Sequence, residues 1–187
     1  MDDLARRSEV VSPNESEVRS HPMKVALALA VLVSALAACG AAGGGTASTC
    51  SSPRLAGTFT AIPNSAGAGN IVYRLALRNV STQTCTLTGL PKGVLIAEDG
   101  AKLPTHIRTL YPGRMPVLVR LAPGRHAYAN ARFSPDVAGT GDEMSGRCEP
   151  VAYWFKVEGT KVKIAPPTSV CERGTLSFST YSPVKSS

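Results

Sequence analysis

The sequence contains few aromatic and charged residues, which make up 5% and 18% of its 187 residues. Glycine and proline are frequent by comparison, with 17 and 14 copies. A large helical enzyme would usually have more charge on its surface and more aromatic residues in its core. The composition is instead typical of a β-rich extracellular domain.

Several motifs that carry chemistry are absent. The chain has no Gly-x-Ser-x-Gly, no His-Glu-x-x-His, no phosphate-cradling glycine loop and no Cys-x-x-Cys pair. The acidic residues Asp136, Asp142 and Glu143 do not follow the spacing of a calcium-binding loop. We therefore predict a protein that is not an enzyme and that holds no cofactor and no metal.

The positive charge is moderate and dispersed. Lys and Arg number 20 against 13 Asp and Glu, which gives a formal net charge of +7. No basic block occurs, and no basic stretch is interleaved with aromatic residues, so nucleic-acid binding is not expected. Attraction to an anionic lipid or polymer is compatible with this charge.

The N-terminal part contains an apolar run over residues 25–38, interrupted only by Ser34. This run is shorter than the roughly 20 residues of a bilayer-spanning helix and fits the core of a signal peptide. The end of this run and the next residue, Leu36-Ala37-Ala38-Cys39, resemble a bacterial lipobox. The resemblance implies cleavage before Cys39 and attachment of diacylglycerol, commonly carrying palmitate, to its sulfur. The alternative is an ordinary secretory signal with a chance cysteine.

With the lipobox as reference, we expect five segments along the chain. Residues 1–22 have a net charge of −2, unlike a signal n-region, so we expect either translation from Met23 or a disordered leader. Residues 23–38 are the predicted signal peptide, and 39–49 are a flexible, lipid-anchored tether rich in glycine. Residues 50–181 form the predicted domain, and 182–187 form a tail. The mature protein is expected on the outer face of the cell membrane.

Period-two alternation of apolar residues recurs through residues 50–181 and predicts about eight short strands. The clearest examples cover residues 71–78, 117–121, 127–133 and 151–157. No segment has a convincing helical period. We therefore predict an all-β fold, an antiparallel immunoglobulin-like β-sandwich.

Lipidation of Cys39 would leave four cysteines, an even number that predicts two disulfides in an exported chain. Three connectivities are possible. A hairpin with its tip at Gly159-Thr160 places Cys148 opposite Cys171, and Cys50 then pairs with Cys85. The same residues are better suited to disulfides than to zinc, because the exported compartment is oxidising.

Two long loops are expected, over residues 104–116 and 134–147. Basic and aromatic residues in and near the first loop could form one ligand-binding patch for a phosphate- or carboxylate-bearing polymer: His106, Arg108, Tyr111, Arg114, Arg120 and Arg125. The alternative interpretation is dispersed surface charge that keeps the domain soluble.

The order of several short motifs resembles a known family. The most specific is Asn79 followed by Cys85-x-x-x-Gly89-x-Pro91, and Leu121-Ala122-Pro123-Gly124 comes later. The chain resembles the "domain of unknown function 4232" family of actinobacterial cell-envelope lipoproteins over residues 50–181. Leu90 stands where members often have Tyr. The resemblance implies a secreted or lipid-anchored β domain and no established activity.

The expected function is thus a lipid-anchored envelope protein with a non-catalytic binding or structural module. Its expected partners are the membrane, and an anionic envelope polymer or another envelope protein. The alternative is a secreted hydrolase with its site near His106. A concave pocket that combines His106 with a carboxylate and a hydroxyl would favour the enzyme.

Overall fold

The computed structural model describes residues 47–136 and 147–185. The predicted signal peptide, Cys39, and residues 137–146 of the second predicted loop lie outside the described residues. Ten strands are present in the described part of the chain. In order, they are β1 (Leu55–Ala61), β2 (Ile71–Asn79), β3 (Cys85–Leu87), β4 (Gly93–Ala97), β5 (His106–Thr109), β6 (Val119–Leu121), β7 (His126–Phe133), β8 (Ala152–Val157), β9 (Thr160–Thr168) and β10 (Thr175–Phe178).

The predicted all-β character is confirmed. Eight strands form one sheet in the order β4-β8-β9-β1-β2-β7-β10-β5, and β3 pairs with β6 in a separate two-stranded sheet. The prediction of a purely antiparallel arrangement is wrong for two pairs, because β1 runs parallel to β9 and β5 runs parallel to β10. Parallel pairing is possible for these two pairs because long connections, and not hairpins, join their strands.

Aromatic rings show how strongly the eight-stranded sheet curls. Phe155 in β8 and Phe178 in β10 are separated by four strands in the sheet, yet their ring centroids are 5.7 Å apart. Phe59 in β1 contacts both rings, at 5.4 Å and 6.0 Å. The two halves of one sheet therefore face each other around a shared core. This curled, barrel-like sheet differs from the predicted immunoglobulin-like sandwich, which needs two separate packed sheets.

The predicted alternation is confirmed in the central strands. Tyr73, Leu75 and Leu77 of β2 point into the core, as do the alternate residues of β7. The alternation predicted for residues 117–121 and 151–157 would also bury Val117 and Val151, and it is wrong there because both are exposed. A bulge between Ala152 and Trp154 turns Ala152 inward, and β6 begins only at Val119.

Both predicted disulfides are confirmed, Cys50–Cys85 and Cys148–Cys171. The hairpin used to predict the second one is placed differently, because Val157 faces Thr160 and the turn is Glu158-Gly159. Next to the turn, residues of β8 therefore face residues of β9 two positions earlier than predicted. Beyond the bulge in β8, Ala152 faces Thr168, one position later than predicted. The two differences nearly cancel, and the two cysteines still meet beyond the strand ends.

The sequence predicts a loop over residues 104–116, but residues 106–109 of this segment form strand β5. The segment lacks a long alternating pattern, and it becomes a strand by pairing with β10 at the edge of the sheet. In the part of the chain that the structure describes, no helix has the length and hydrophobicity needed to cross a membrane.

Candidate functional site

A row of outward-facing residues crosses four adjacent strands. Val72 in β2 lies opposite Arg132 in β7, Arg132 lies opposite Ser177 in β10, and Ser177 lies opposite Arg108 in β5. Cross-strand partners share a face of the sheet, so Arg132 and Arg108 project from the same outer surface. Only one strand separates them, which places their backbones about 10 Å apart. We call these two residues the arginine row.

The sequence around this row carries charge of one sign. Residues 100–135 contain no Asp or Glu, and they contain six cationic residues: Lys102, Arg108, Arg114, Arg120, Arg125 and Arg132. Arg108 and Arg132 are both exposed to solvent. The arginine row is therefore positioned to attract an anion rather than to pair with an acidic side chain from its own segment.

A groove of about 490 Å³ lies beside the arginine row on the same outer face. Its floor contains Val72, Asn130 and Arg132, and its two walls are residues 62–65 and the pair Leu110 and Tyr111. We call it the outer groove. It combines apolar side chains with a guanidinium, an amide and a phenol, the mixture that binding sites for small polar ligands commonly show.

Hydrogen bonds hold both walls of the outer groove in place. The Ser65 hydroxyl donates to the Val72 carbonyl at 3.0 Å and accepts from the Val72 N–H at 3.1 Å. On the other wall, the Leu110 N–H donates to the Phe178 carbonyl at 2.7 Å. The Arg114 guanidinium lies 5.1 Å from the centroid of the Tyr111 ring, a cation–π contact. The groove is thus formed by backbone-anchored loops on a rigid sheet.

The structure does not unite the six residues of the predicted patch. Arg125 immediately precedes His126, which faces Arg78 at one end of β7, whereas Arg132 lies six residues farther along that strand, or about 20 Å. Arg120 belongs to the two-stranded sheet, where it faces Thr86. Tyr111 lines the outer groove, and Arg108 lies in the arginine row beside it. The six residues do not lie in one row on the outer face, because strand register places Arg108 and Arg125 near opposite ends of β7.

His106 lies in a different, smaller pocket of about 210 Å³. The pocket is also lined by Pro104, Arg147, Glu149 and Arg173. It therefore brings His106 together with a carboxylate, but none of these described lining residues supplies a hydroxyl or thiol. The full combination that would favour a hydrolase is not present among them.

Sequence reasoning missed two residues at these sites. Arg132 lies in a predicted strand but is not part of the predicted binding patch, and Arg173 is not singled out by the sequence. The signal available for Arg132 was the acid-free stretch around it, since its proximity to Arg108 depends on the pairing of both strands with β10. Among the described residues, no group of His, Cys, Asp and Glu is arranged to hold a metal ion.

Comparison with known proteins identifies the family. The model of a family described as "Domain of unknown function (DUF4232)" matches residues 50–181. The chain belongs to this family. No curated protein and no solved structure matches the chain.

The motif residues of this DUF4232 domain have structural contacts. Asn79 is fully buried, and its amide nitrogen donates to the carbonyls of Gln83 and Leu121 at 2.7 Å and 2.8 Å. Its amide oxygen accepts from the N–H and the hydroxyl of Ser81 at 2.9 Å and 2.8 Å. Asn79 therefore joins the end of β2 to β6 and closes the intervening loop, so this part of the DUF4232 motif stabilises the fold.

Proposed function

We propose that the chain is an exported lipoprotein of the actinobacterial cell envelope, and that its DUF4232 domain is a non-catalytic binding module. Diacylglycerol on Cys39 would anchor it to the outer face of the cell membrane. The sequence Leu36-Ala37-Ala38-Cys39 after a short apolar run supports this anchor. The two disulfides, which use all four remaining cysteines, are consistent with an oxidising compartment.

The proposed ligand of the module is an anionic envelope polymer that carries phosphate or carboxylate groups. The observation that supports it is the arginine row, in which Arg108 and Arg132 share one face beside the outer groove. Guanidinium groups bind phosphate and carboxylate through two parallel hydrogen bonds. The two backbones are about 10 Å apart, so the two guanidinium groups can contact neighbouring charges along a polymer.

Because both arginines are exposed to solvent, we expect each contact with the polymer to be weak and polymer binding to depend on salt. Each contact with an exposed charge is weak and is screened within about 10 Å at 0.1 M salt. Affinity for the polymer would therefore come from several contacts at once and would decrease as salt is added.

The test is binding of the full chain to defined polymers, with variants that remove single charges. The probes are poly(glycerol phosphate) and polygalacturonate, with neutral dextran as the uncharged comparison. We expect Arg108→Gln and Arg132→Gln each to weaken binding to an anionic probe by roughly five- to tenfold. Lys163→Gln is the matched control, because this exposed residue lies on β9, away from the arginine row. Equal losses in all three variants would mean that only net charge matters and would contradict a site at the arginine row.

The anchor has its own test. Cells that produce the chain are grown with labelled palmitate, and the protein is isolated and counted. We expect label in the parent chain and none in Cys39→Ser. Label that persists in Cys39→Ser would refute the lipoprotein assignment without affecting the binding module.

A second candidate is a hydrolase at His106, which the neighbouring Glu149 carboxylate favours. In this alternative His106 would activate water as a general base. We regard it as the weaker candidate because the described lining residues lack the hydroxyl that the expected combination with His106 and a carboxylate includes. If the purified chain cleaves the polymer probes and His106→Ala abolishes cleavage, this alternative replaces the binding module.

A further inference from the structure

The segment between β5 and β6 exposes an unusual amount of apolar surface. Met115 is 86% exposed, Leu118 62%, Val117 55% and Tyr111 50%. We call residues 111–118 the apolar loop. Single exposed apolar side chains are ordinary, but four within eight residues concentrate apolar surface in one short segment.

Cations flank and interrupt this apolar loop. Arg108 precedes it, Arg114 lies within it and Arg120 follows it, and no acidic residue occurs nearby in the chain. Its shape is also restricted. Gly113 has a φ of 82°, the Arg114 N–H donates to the Tyr111 carbonyl at 3.3 Å, and the loop contains two prolines. A preformed loop loses less conformational entropy when it binds to a surface.

We propose that the apolar loop docks on the surface of an anionic lipid bilayer. Met115, Val117 and Leu118 enter the boundary between headgroups and acyl chains, while Arg114 and Arg120 contact lipid phosphates. Charge complementarity and the apolar side chains together select this occupant. A hydrated anionic polymer satisfies the arginines but offers no apolar phase for Met115. The proposal goes beyond the polymer-binding function and does not depend on lipidation of Cys39.

The test measures whether the loop itself enters the bilayer, so attachment of the protein to the membrane by another part does not affect the result. Trp154, the single tryptophan, is replaced by Phe, and Met115→Trp is added to the full chain. Val184→Trp in the same background is the control, because Val184 is 68% exposed and lies near the C-terminus. Vesicles contain phosphatidylglycerol and phosphatidylcholine with brominated acyl chains, or phosphatidylcholine alone. We expect the fluorescence of the Met115→Trp chain to shift to the blue and to be quenched by the anionic vesicles, and that of the Val184→Trp chain to change little.

The contribution of the arginines is measured by partition to the same vesicles. Each basic residue near an anionic surface contributes about fivefold to binding. We therefore expect Arg114→Gln and Arg120→Gln each to weaken partition by about that factor, and Lys163→Gln to weaken it less.

Three outcomes would overturn the proposal. The first is equal quenching at positions 115 and 184. The second is a blue shift of the fluorescence of the Met115→Trp chain in buffer without vesicles, if the shift increases with protein concentration. That result would assign the loop to a second copy of the chain. The third is the same blue shift with poly(glycerol phosphate) and no vesicles, which would assign the loop to the polymer. Repeating the measurement with Cys39→Ser separates docking from anchoring, because continued quenching there leaves the docking loop intact even if lipidation fails.

Discussion

The Tyr181 hydroxyl donates a hydrogen bond to Oε1 of Glu158 at 3.1 Å. The same carboxylate oxygen accepts from the Lys92 N–H at 3.1 Å. Tyr181 is 1% exposed and lies after the last strand, while Glu158 lies in the turn between β8 and β9. This pair therefore fastens the C-terminal segment to the opposite half of the curled sheet.

Removing the hydroxyl should weaken the fold. Tyr181→Phe leaves the Glu158 carboxylate with one partner fewer in a partly buried place, and a hydrogen bond to a charged group contributes roughly 2 kcal/mol. We expect the free energy of unfolding in urea to decrease by about that amount. Tyr111→Phe is the control, since Tyr111 is half exposed, and it should change the value by less than about 0.5 kcal/mol. Equal losses in the two variants would contradict the role of the pair.

Stability should also decrease at alkaline pH. Burial raises the pKa of Tyr181 above its ordinary value of 10.0, and the charge of Glu158 raises it further. Burial also raises the pKa of Tyr73, against a smaller lowering by its hydrogen bond with Thr168. Because the unfolded chain releases these protons at lower pH than the folded one, their contribution is complete below pH 10 and is lost as the pH rises above it. Urea unfolding between pH 8 and 11 should show this decline, and Tyr181→Phe should make it shallower. An unchanged slope in that variant would contradict the prediction.

Asn79 offers a second stability test. Asn79→Ala removes two donated and two accepted hydrogen bonds at a fully buried position, so we expect a loss of about 3 kcal/mol. Asn79→Asp should also destabilise, because a carboxylate would face the carbonyl oxygens of Gln83 and Leu121. Gln83→Ala is the control, since it keeps the accepting carbonyl. Thermal and urea unfolding measure all three, and a neutral Asn79→Ala would show that the motif residue is not structural.

The Cys50–Cys85 disulfide closes a segment with a sequence separation of 35. In the chain-entropy account, a cross-link of this length contributes roughly 4 kcal/mol by restricting the unfolded chain. We expect the double variant Cys50→Ala/Cys85→Ala to lose about that much stability under oxidising conditions. Mass mapping of peptides without reduction should find Cys148–Cys171 unchanged in this variant. A crossed pair in the parent chain would contradict the observed connectivity.

The candidate site was only partly predictable from sequence. Arg108 and Tyr111 were assigned to a binding patch because basic and aromatic residues cluster in their segment, and both lie at the site. Arg132 was missed as their partner, since it reaches Arg108 only through the pairing of β7 and β5 with β10. His106 was grouped with them by proximity in sequence, but the structure places it in another pocket.

The sequence by itself determined which residues of the central strands face the core, because side chains of a strand alternate between two faces regardless of its partners. It also indicated the disulfide pairs, because only four cysteines remain besides Cys39 and the predicted hairpin brings two of them together. Only the tertiary structure decided that β5 exists, that two strand pairs are parallel and that one sheet curls until Phe155 meets Phe178. Alternation specifies the face of a residue but not the neighbouring strand or its register, and those depend on contacts between distant parts of the chain.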